Sequence, residues 1–87
     1  MSTITCYVYN SRRKPGTYVF LPQEDDWSQV PEAICKMLGE TEQVMELELT
    51  RERQLARVSG AEVIDAMQQQ GFYLQLPPGD PAERNPI

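Results

Sequence analysis

The chain contains no histidine and only two cysteines in its 87 residues. Histidine is the commonest general base and metal ligand near neutral pH, so its absence removes the usual residue from both kinds of site. With no C-x-x-C pair, the usual zinc and thiol-redox signatures are missing as well. No phosphate-binding loop, nucleophile elbow or dinucleotide fingerprint is present. We therefore predict a protein that is not an enzyme and uses no cofactor.

Long apolar runs are also missing, and none approaches the roughly 20 residues needed to span a bilayer. The stretch Met1–Cys6 has neither the basic region nor the long apolar region of a secretory signal. We expect a cytoplasmic protein that does not contact a membrane. Cytoplasmic thiols are usually kept reduced, so no disulfide is expected between Cys6 and Cys35, and the disulfide is the minor alternative.

Charge is unevenly distributed along the chain, whose net charge is −5. Residues 1–20 carry three basic groups and no acid, whereas residues 21–50 carry one base and eight acids. The basic groups, Arg12, Arg13 and Lys14, lie between two segments of strand composition. This pattern indicates a small basic corner on an otherwise acidic protein, and it argues against general affinity for nucleic acid.

The first 21 residues predict an antiparallel hairpin. Residues 3–9 and 17–21 are rich in β-branched and aromatic types, and residues 10–16 hold the turn formers Asn, Ser, Pro and Gly. In the first strand, Ile4, Cys6 and Val8 should share one face. The basic corner would then be the tip of the hairpin.

The middle of the chain predicts a helix followed by a strand. Val30, Ile34, Met37 and Leu38 follow the spacing of a buried helix face, Pro31 suits the first turn, and Gly39 suits the end. Residues 44–50 alternate, which predicts a strand with Met45, Leu47 and Leu49 inward and Glu46 and Glu48 outward.

The last third predicts a second helix and a final strand. Residues 55–58 are interpreted as a short extra strand. The S-x-x-E sequence from Ser59 to Glu62 has the form of a capping box, and Gly71 should end the helix that it begins. Side chains in residues 72–76 alternate, so Phe72, Leu74 and Leu76 should face one side of the sheet and Tyr73 and Gln75 the other. The double proline that follows must end the strand.

Together these elements predict an α/β domain of the α+β type. It would be a two-layer sandwich, with a mainly antiparallel sheet of four or five strands and two principal helices, in the order ββαβ(β)αβ. Residues 1–78 would form the domain, and residues 79–87 a flexible, proline-containing tail. The expected core is Ile4, Cys6, Val8, Ile34, Leu38, Leu47, Leu49, Ile64, Met67, Phe72, Leu74 and Leu76.

Several segments also occur in a characteristic order and spacing. They are the first strand ending at Tyr9, Thr17-Tyr18-Val19, Asp26-Trp27-Ser28-x-Val30-Pro31-Glu32, Gly39, Leu49-x-Arg51, and Gln70-Gly71-Phe72-Tyr73-Leu74-Gln75-Leu76-Pro77-Pro78. From Cys6 to about Pro78 the chain thereby resembles the YcgL-like domain family of small gamma-proteobacterial proteins. The resemblance implies a compact α/β domain with strands and helices in two layers. It brings no settled biochemical function and no catalytic or cofactor residues.

Two surfaces are candidates for contact with a partner. The basic tip, with tyrosines on the neighbouring strands, could bind RNA, since Arg pairs with phosphates and Tyr stacks on bases. A solvated hairpin tip that discourages edge-to-edge aggregation explains the same charges, and we favour that interpretation. The outward face of the last strand could line a peptide groove or be covered by a helix. The candidate contact residues are Tyr9, Arg12, Arg13, Lys14, Tyr18, Tyr73 and Gln75.

Three functional hypotheses follow. The first is a non-catalytic protein-interaction or regulatory module with an unknown protein partner, and it is the one that we favour. The alternative is an RNA-associated accessory protein that uses the basic tip. The weakest is a small metal-dependent hydrolase in which Glu24, Asp25 and Asp26 hold Mg²⁺. Adjacent acids before a helix more often interact with the helix dipole, so we predict no metal site.

Overall fold

The structure, a computed structural model, describes residues 3–55 and 58–76. Two helices and four strands follow one another along this part of the chain. They are β1 (Ile4–Ser11), β2 (Tyr18–Leu21), α1 (Glu32–Leu38), β3 (Thr41–Leu49), α2 (Gly60–Gln70) and β4 (Tyr73–Gln75). Neither helix in the described ranges is long and apolar enough to cross a membrane.

The four strands form one sheet in the order β3-β1-β2-β4, and every neighbouring pair is antiparallel. Strands β1 and β2 form the predicted hairpin, with Val8 opposite Phe20 and Tyr9 opposite Val19. The last strand adds beside β2, so β3 and β4 are the two edges. The predicted α+β class and element order are therefore confirmed, with four strands in the described residues.

Side chains alternate across the sheet, and apolar groups cover both of its faces. Cys6, Val8 and Phe20 belong to one cluster of buried residues, which includes Val63, Ile64 and Met67 of α2. The opposite cluster contains Tyr9, Val19, Leu21 and Phe72, together with Leu38 of α1. Successive strand residues point to opposite faces, so α2 and α1 pack on opposite sides and the sheet is the middle layer. We call the face under α2 the first face and the other the second face.

The second helix begins and ends as its sequence predicts. The Ser59 hydroxyl oxygen accepts a hydrogen bond from the Glu62 backbone N–H at 3.2 Å, which is the N-cap contact of the capping box. Gly71 has φ +91°, in the left-handed region, and its N–H donates to the Met67 carbonyl. The end of the first helix is held differently, because the Ser11 hydroxyl donates to the Leu38 carbonyl at 2.6 Å. That bond ties α1 to the end of β1.

The predicted core is largely confirmed, but it is incomplete. Seven of the predicted positions are buried: Cys6, Val8, Leu38, Leu49, Ile64, Met67 and Phe72. Ile4, Ile34, Leu47 and Leu74 are partly buried and pack against the two clusters, and Leu76 is half-buried. Buried residues absent from the prediction include Tyr9, Val19, Phe20, Leu21, Val30, Val58 and Val63. Most of them fill the second face, which the two-layer prediction left without a cover.

Two predictions fall partly or wholly outside the described residues. The flexible tail at residues 79–87 lies entirely outside them. The extra strand at residues 55–58 lies partly outside them. Within the described part, the Leu55 N–H donates to the Val58 carbonyl at 2.9 Å, and Gln54 and Ser59 form an isolated antiparallel bridge.

The close packing of α2 against the residues that follow β3 can be tested at Gly60. Its N–H donates to the Arg53 carbonyl at 2.6 Å, and an added Cβ would overlap the Thr50 carbonyl oxygen. Gly→Ala normally favours a helix by roughly 1 kcal/mol. Here we expect Gly60→Ala to lower the free energy of unfolding by about 1–3 kcal/mol, because backbone must shift to relieve the overlap. Urea unfolding monitored by circular dichroism measures the change.

The matched control is Ala61→Gly, one position further along the helix. It should lower the free energy of unfolding by only about 1 kcal/mol, from helix propensity alone. An alanine at position 60 that leaves stability unchanged or raises it would contradict the close approach of α2 to Thr50.

Candidate functional site

The first face has an open groove beside the edge strand β3. Its volume is about 400 Å³, and residues from all four strands line it. The lining residues are Val8, Tyr18, Phe20, Val44, Met45, Leu47, Leu55 and Gln75. Apart from Gln75 and the tyrosine hydroxyl, these side chains are apolar, as is usual for a surface that binds another molecule.

A β-bulge shapes one wall of the groove. Val8 lies opposite Met45, while the next residue, Tyr9, lies opposite Gln43, so Val44 is an extra residue without a partner of its own. A bulge of this kind changes the direction in which a side chain points. Val44 and Met45, although adjacent in sequence, both line the groove.

These two side chains are the exposed large hydrophobic residues of the described chain. Val44 is 43% exposed and Met45 is 51% exposed. The prediction that Met45 is inward is thus corrected. Met45 does lie on the first face, opposite the buried Val8. Helix α2, however, packs on β2 and β4, which leaves this part of β3 uncovered.

The predicted contact residues do not form one surface. Tyr18 and Gln75 lie opposite each other on β2 and β4 and line the groove together. Tyr73 shares their strand face, but it packs edge-to-face on Phe20, with ring centroids 5.6 Å apart, and is half-buried. The groove thus contains two of the seven predicted residues, and Tyr73 is part of the packing beside it.

Tyr9 is a correction, because it is only 3% exposed and presents no free ring. It lies on the second face, where its ring meets Trp27 edge-to-face at 5.0 Å between centroids. Its hydroxyl oxygen accepts a hydrogen bond from the Asp25 N–H at 2.6 Å. Burial raises the pKa of the Tyr9 phenol, an effect that the bond from Asp25 partly opposes. The predicted role as a contact residue fails because α1 and the preceding loop cover this face.

The basic tip is exposed but separate from the groove. The Arg13 guanidinium donates to the Lys36 carbonyl of α1 at 3.1 Å, and Arg12 lies 3.9 Å from the Glu40 carboxylate. None of the groove-lining residues belongs to the tip. Lys14 is exposed, and its N–H donates to the Ser11 hydroxyl oxygen. Two of the three cations therefore have contacts within the protein that a phosphate would have to replace.

Of the three acids in the Mg²⁺ hypothesis, Asp26 has a local structural role. An Asp26 carboxylate oxygen accepts from the Ser28 hydroxyl at 2.6 Å and from the Ser28 N–H at 3.1 Å. These bonds lower the pKa of Asp26, with the hydroxyl contributing most. Over residues 3–55 and 58–76, no three acidic or cysteine side chains come together in a way that could hold a metal ion.

Sequence reasoning missed most of the groove. The sequence predicts Val8 only as a core residue and Val44 only as the start of a strand, and it does not single out Phe20. One signal was present in the sequence: the neighbouring apolar residues Val44 and Met45 interrupt the polar–apolar alternation of β3. Such an interruption is typical of a bulge. The remaining lining residues depend on the strand order, which has no local sequence signal.

The fold and the groove define a class of protein: a small α+β domain with an open apolar surface next to a sheet edge that pairs with no further strand among the described residues. Comparison with known sequences gives the family. Residues 6–78 match the YcgL domain, and the chain belongs to the YcgL domain family.

Relatives cover most of the chain. A YcgL domain-containing protein of Vibrio cholerae serotype O1 is 48% identical over 73 residues, which is 84% of this chain and 78% of the relative. Another, from Thioalkalivibrio sulfidiphilus, is 43% identical over 83% of this chain and 89% of its own length. A third, from Actinobacillus pleuropneumoniae serotype 3, is 41% identical over 90% and 82%.

The burial of the Cys6 thiol beneath the first face can be tested by chemical modification. The side chain is fully buried, and burial raises the pKa of its thiol to about 11, although the charge of Arg53 acts in the opposite direction. The thiolate is the reactive form, and at pH 8 only about one folded molecule in a thousand would carry it. We expect iodoacetamide at pH 8 to leave Cys6 unmodified in the folded protein and to modify it in urea, as measured by mass spectrometry of the digested protein.

Cys35, which is half-buried, is the internal comparison. The sign of the pH dependence follows from the same shift. The folded-state pKa of Cys6 lies above the unfolded value of 9.0, so this thiol weakens the folded state only as the pH rises beyond about 9. Labelling of Cys6 as fast as that of Cys35 in native buffer would contradict its burial.

Proposed function

We propose that this protein is a non-catalytic protein-interaction or regulatory module of the cytoplasm and that it binds its partner through the groove on the first face. The observation that carries the proposal is the exposure of Val44 and Met45 at the wall of an apolar groove. Apolar side chains that lie together at the surface and line a concavity are typical of sites where another molecule is bound.

The position of the groove favours a protein as the partner. Strand β3 forms one wall and is also an edge of the sheet. A protein segment that lies beside this strand can make main-chain hydrogen bonds and insert side chains into the groove, which is a common mode of peptide recognition. The non-catalytic character of the proposal rests on the sequence, in which histidine and the common catalytic motifs are absent.

The RNA alternative has less support from the structure. The tyrosines on the strands next to the tip, Tyr7, Tyr9 and Tyr18, do not form a free stacking platform. Tyr9 is buried, and Tyr7 and Tyr18 are half-buried and pack on the second and the first face. Arg12 and Arg13 already contact Glu40 and the Lys36 carbonyl. Nuclease treatment in the binding experiment tests this alternative.

The test compares the unmodified protein with a groove variant, Val44→Thr with Met45→Gln. Both side chains are about half exposed, so the stability should change by only about 0.5 kcal/mol per site. Thermal melting checks this first. We expect the unmodified protein, immobilised and exposed to a bacterial lysate, to retain a defined protein that the groove variant loses. Retention should survive nuclease and high salt, since an apolar contact is not screened as phosphate contacts are.

The matched control is Ala33→Gln, which replaces an exposed apolar residue of α1 on the other side of the sheet. It should retain the same protein as the unmodified chain. Equal retention by the groove variant would contradict the proposal. Retention that disappears with nuclease, or with Arg12→Ala and Arg13→Ala, would favour the RNA alternative.

A further inference from the structure

The outer edge of β3 is an unusually long open edge for so small a sheet. The strand spans nine residues, whereas the other edge strand, β4, spans three. In the part of the chain that the structure describes, β1 is the only strand paired with β3. An edge strand of this length offers a row of backbone donors and acceptors to another chain.

Only one end of this edge is capped within the described residues. The Arg53 guanidinium donates to the Glu48 carbonyl at 2.9 Å. This contact occupies an acceptor near the end of the strand, just before the turn towards α2. The stretch from Thr41 to Leu47, which includes the bulge, has no comparable side-chain contact among the described residues.

The two faces of the edge differ in character. Met45 and Leu47 lie on the first face, at the groove, while Glu46 and Glu48 point to the second face, opposite Tyr7 and Thr5 in the register with β1. Beyond the bulge, Glu42 lies opposite Asn10. All three glutamates are exposed, and none forms an ion pair with a described residue. The edge therefore has the apolar groove on its first face, with Glu42 beyond the bulge, and two unneutralised negative charges, Glu46 and Glu48, on its second face.

This charge pattern disfavours a second copy of the chain as the occupant. Antiparallel pairing of two β3 strands centred on Leu47 would set Glu46 opposite Glu48, and both of these side chains lie on the second face. Like charges directly opposite each other destabilise a strand pair, whereas opposite charges stabilise it. The same positions select a partner with basic residues.

We propose that the partner binds as an extended basic segment that adds a strand to the outer edge of β3. Alternate residues of that segment would be apolar and basic. The apolar ones would enter the groove beside Met45 and Leu47, and the basic ones would lie next to Glu46 and Glu48 on the other face. The inference deepens the proposed function and rests on it, because it names the chemical class of the protein segment that the groove receives.

The test uses defined peptides and fluorescence anisotropy. The probe is a nine-residue peptide that alternates lysine and valine, with a fluorophore at its N-terminus. One control peptide has proline in place of the central valine, which keeps the charge but removes a backbone donor. The other replaces every lysine with glutamate. We expect the unmodified protein to bind the lysine probe at least about tenfold more tightly than either control peptide.

Charge reversal on the protein should exchange this preference. Glu46→Lys with Glu48→Lys should weaken binding of the lysine probe by about tenfold or more and give binding of the glutamate peptide. The matched control, Glu24→Lys with Glu52→Lys, makes the same change in net charge at exposed positions outside β3 and should retain the lysine probe. Amide hydrogen exchange should show added protection within residues 41–47 when the probe is bound.

Two results would overturn the inference. One is equal binding of the lysine probe and its proline control, which would show charge attraction without strand pairing. The other is equal weakening by the two charge-reversed variants. Either result could occur while the groove variant Val44→Thr with Met45→Gln still loses the partner from the lysate. In that case the proposed function would stand and only the edge-strand inference would fall.

Discussion

The whole fold depends on β1, because this strand is paired on both sides and covered on both faces. It lies between β2 and β3 in the sheet. Cys6 and Val8 contribute to the cluster beneath α2, while Tyr7 and Tyr9 contribute to the cluster beneath α1. This strand thereby joins the two cores, and its neighbour β2 does the same through Phe20 on one face and Val19 on the other. In so short a chain, burial on both sides of one sheet compensates for the small area that either core could bury alone.

The two helices cover the two faces of the sheet unequally, and the groove is the result. On the second face, α1 and the loop with Trp27 pack over the middle of the sheet. On the first face, α2 packs towards β2 and β4, on the side away from β3. The groove is the part of the first face that this helix does not reach. The groove is apolar because it continues the core to the surface: Val8 and Phe20 belong to the buried cluster and also line the groove.

Local structure could be predicted from the sequence where one or two residues determine it. The hairpin, the Ser59 cap and the left-handed Gly71 all depend on the chemistry of near neighbours, and the structure contains each of them. The faces of the strands were harder to predict. The segments around Tyr9 and Val19 are apolar on both sides, so period two cannot show which side is covered. Tyr9 was assigned to the surface for that reason, and its burial is a consequence of where α1 packs.

The site depended still more on long-range structure. Tyr18 and Gln75 were among the predicted contact residues and do line the groove, but the neighbours that complete it are set by the order of the strands. Strand order is decided by which pairings bury the most apolar surface, and that choice involves residues far apart in the chain. The helix that leaves Met45 uncovered is likewise placed by contacts outside its own sequence.

The bulge at Val44 has a consequence for how this strand tolerates changes in length. With Val44 removed, Gln43 would directly precede Met45, and the alternation of faces from Thr41 to Leu49 would become regular without any other change in pairing with β1. Deleting one residue from a strand usually reverses the facing of everything beyond it. Here the deletion would instead straighten the strand and flatten its outer edge. The extra residue therefore keeps the edge irregular, and irregular edges are a means by which proteins limit indiscriminate pairing between sheets.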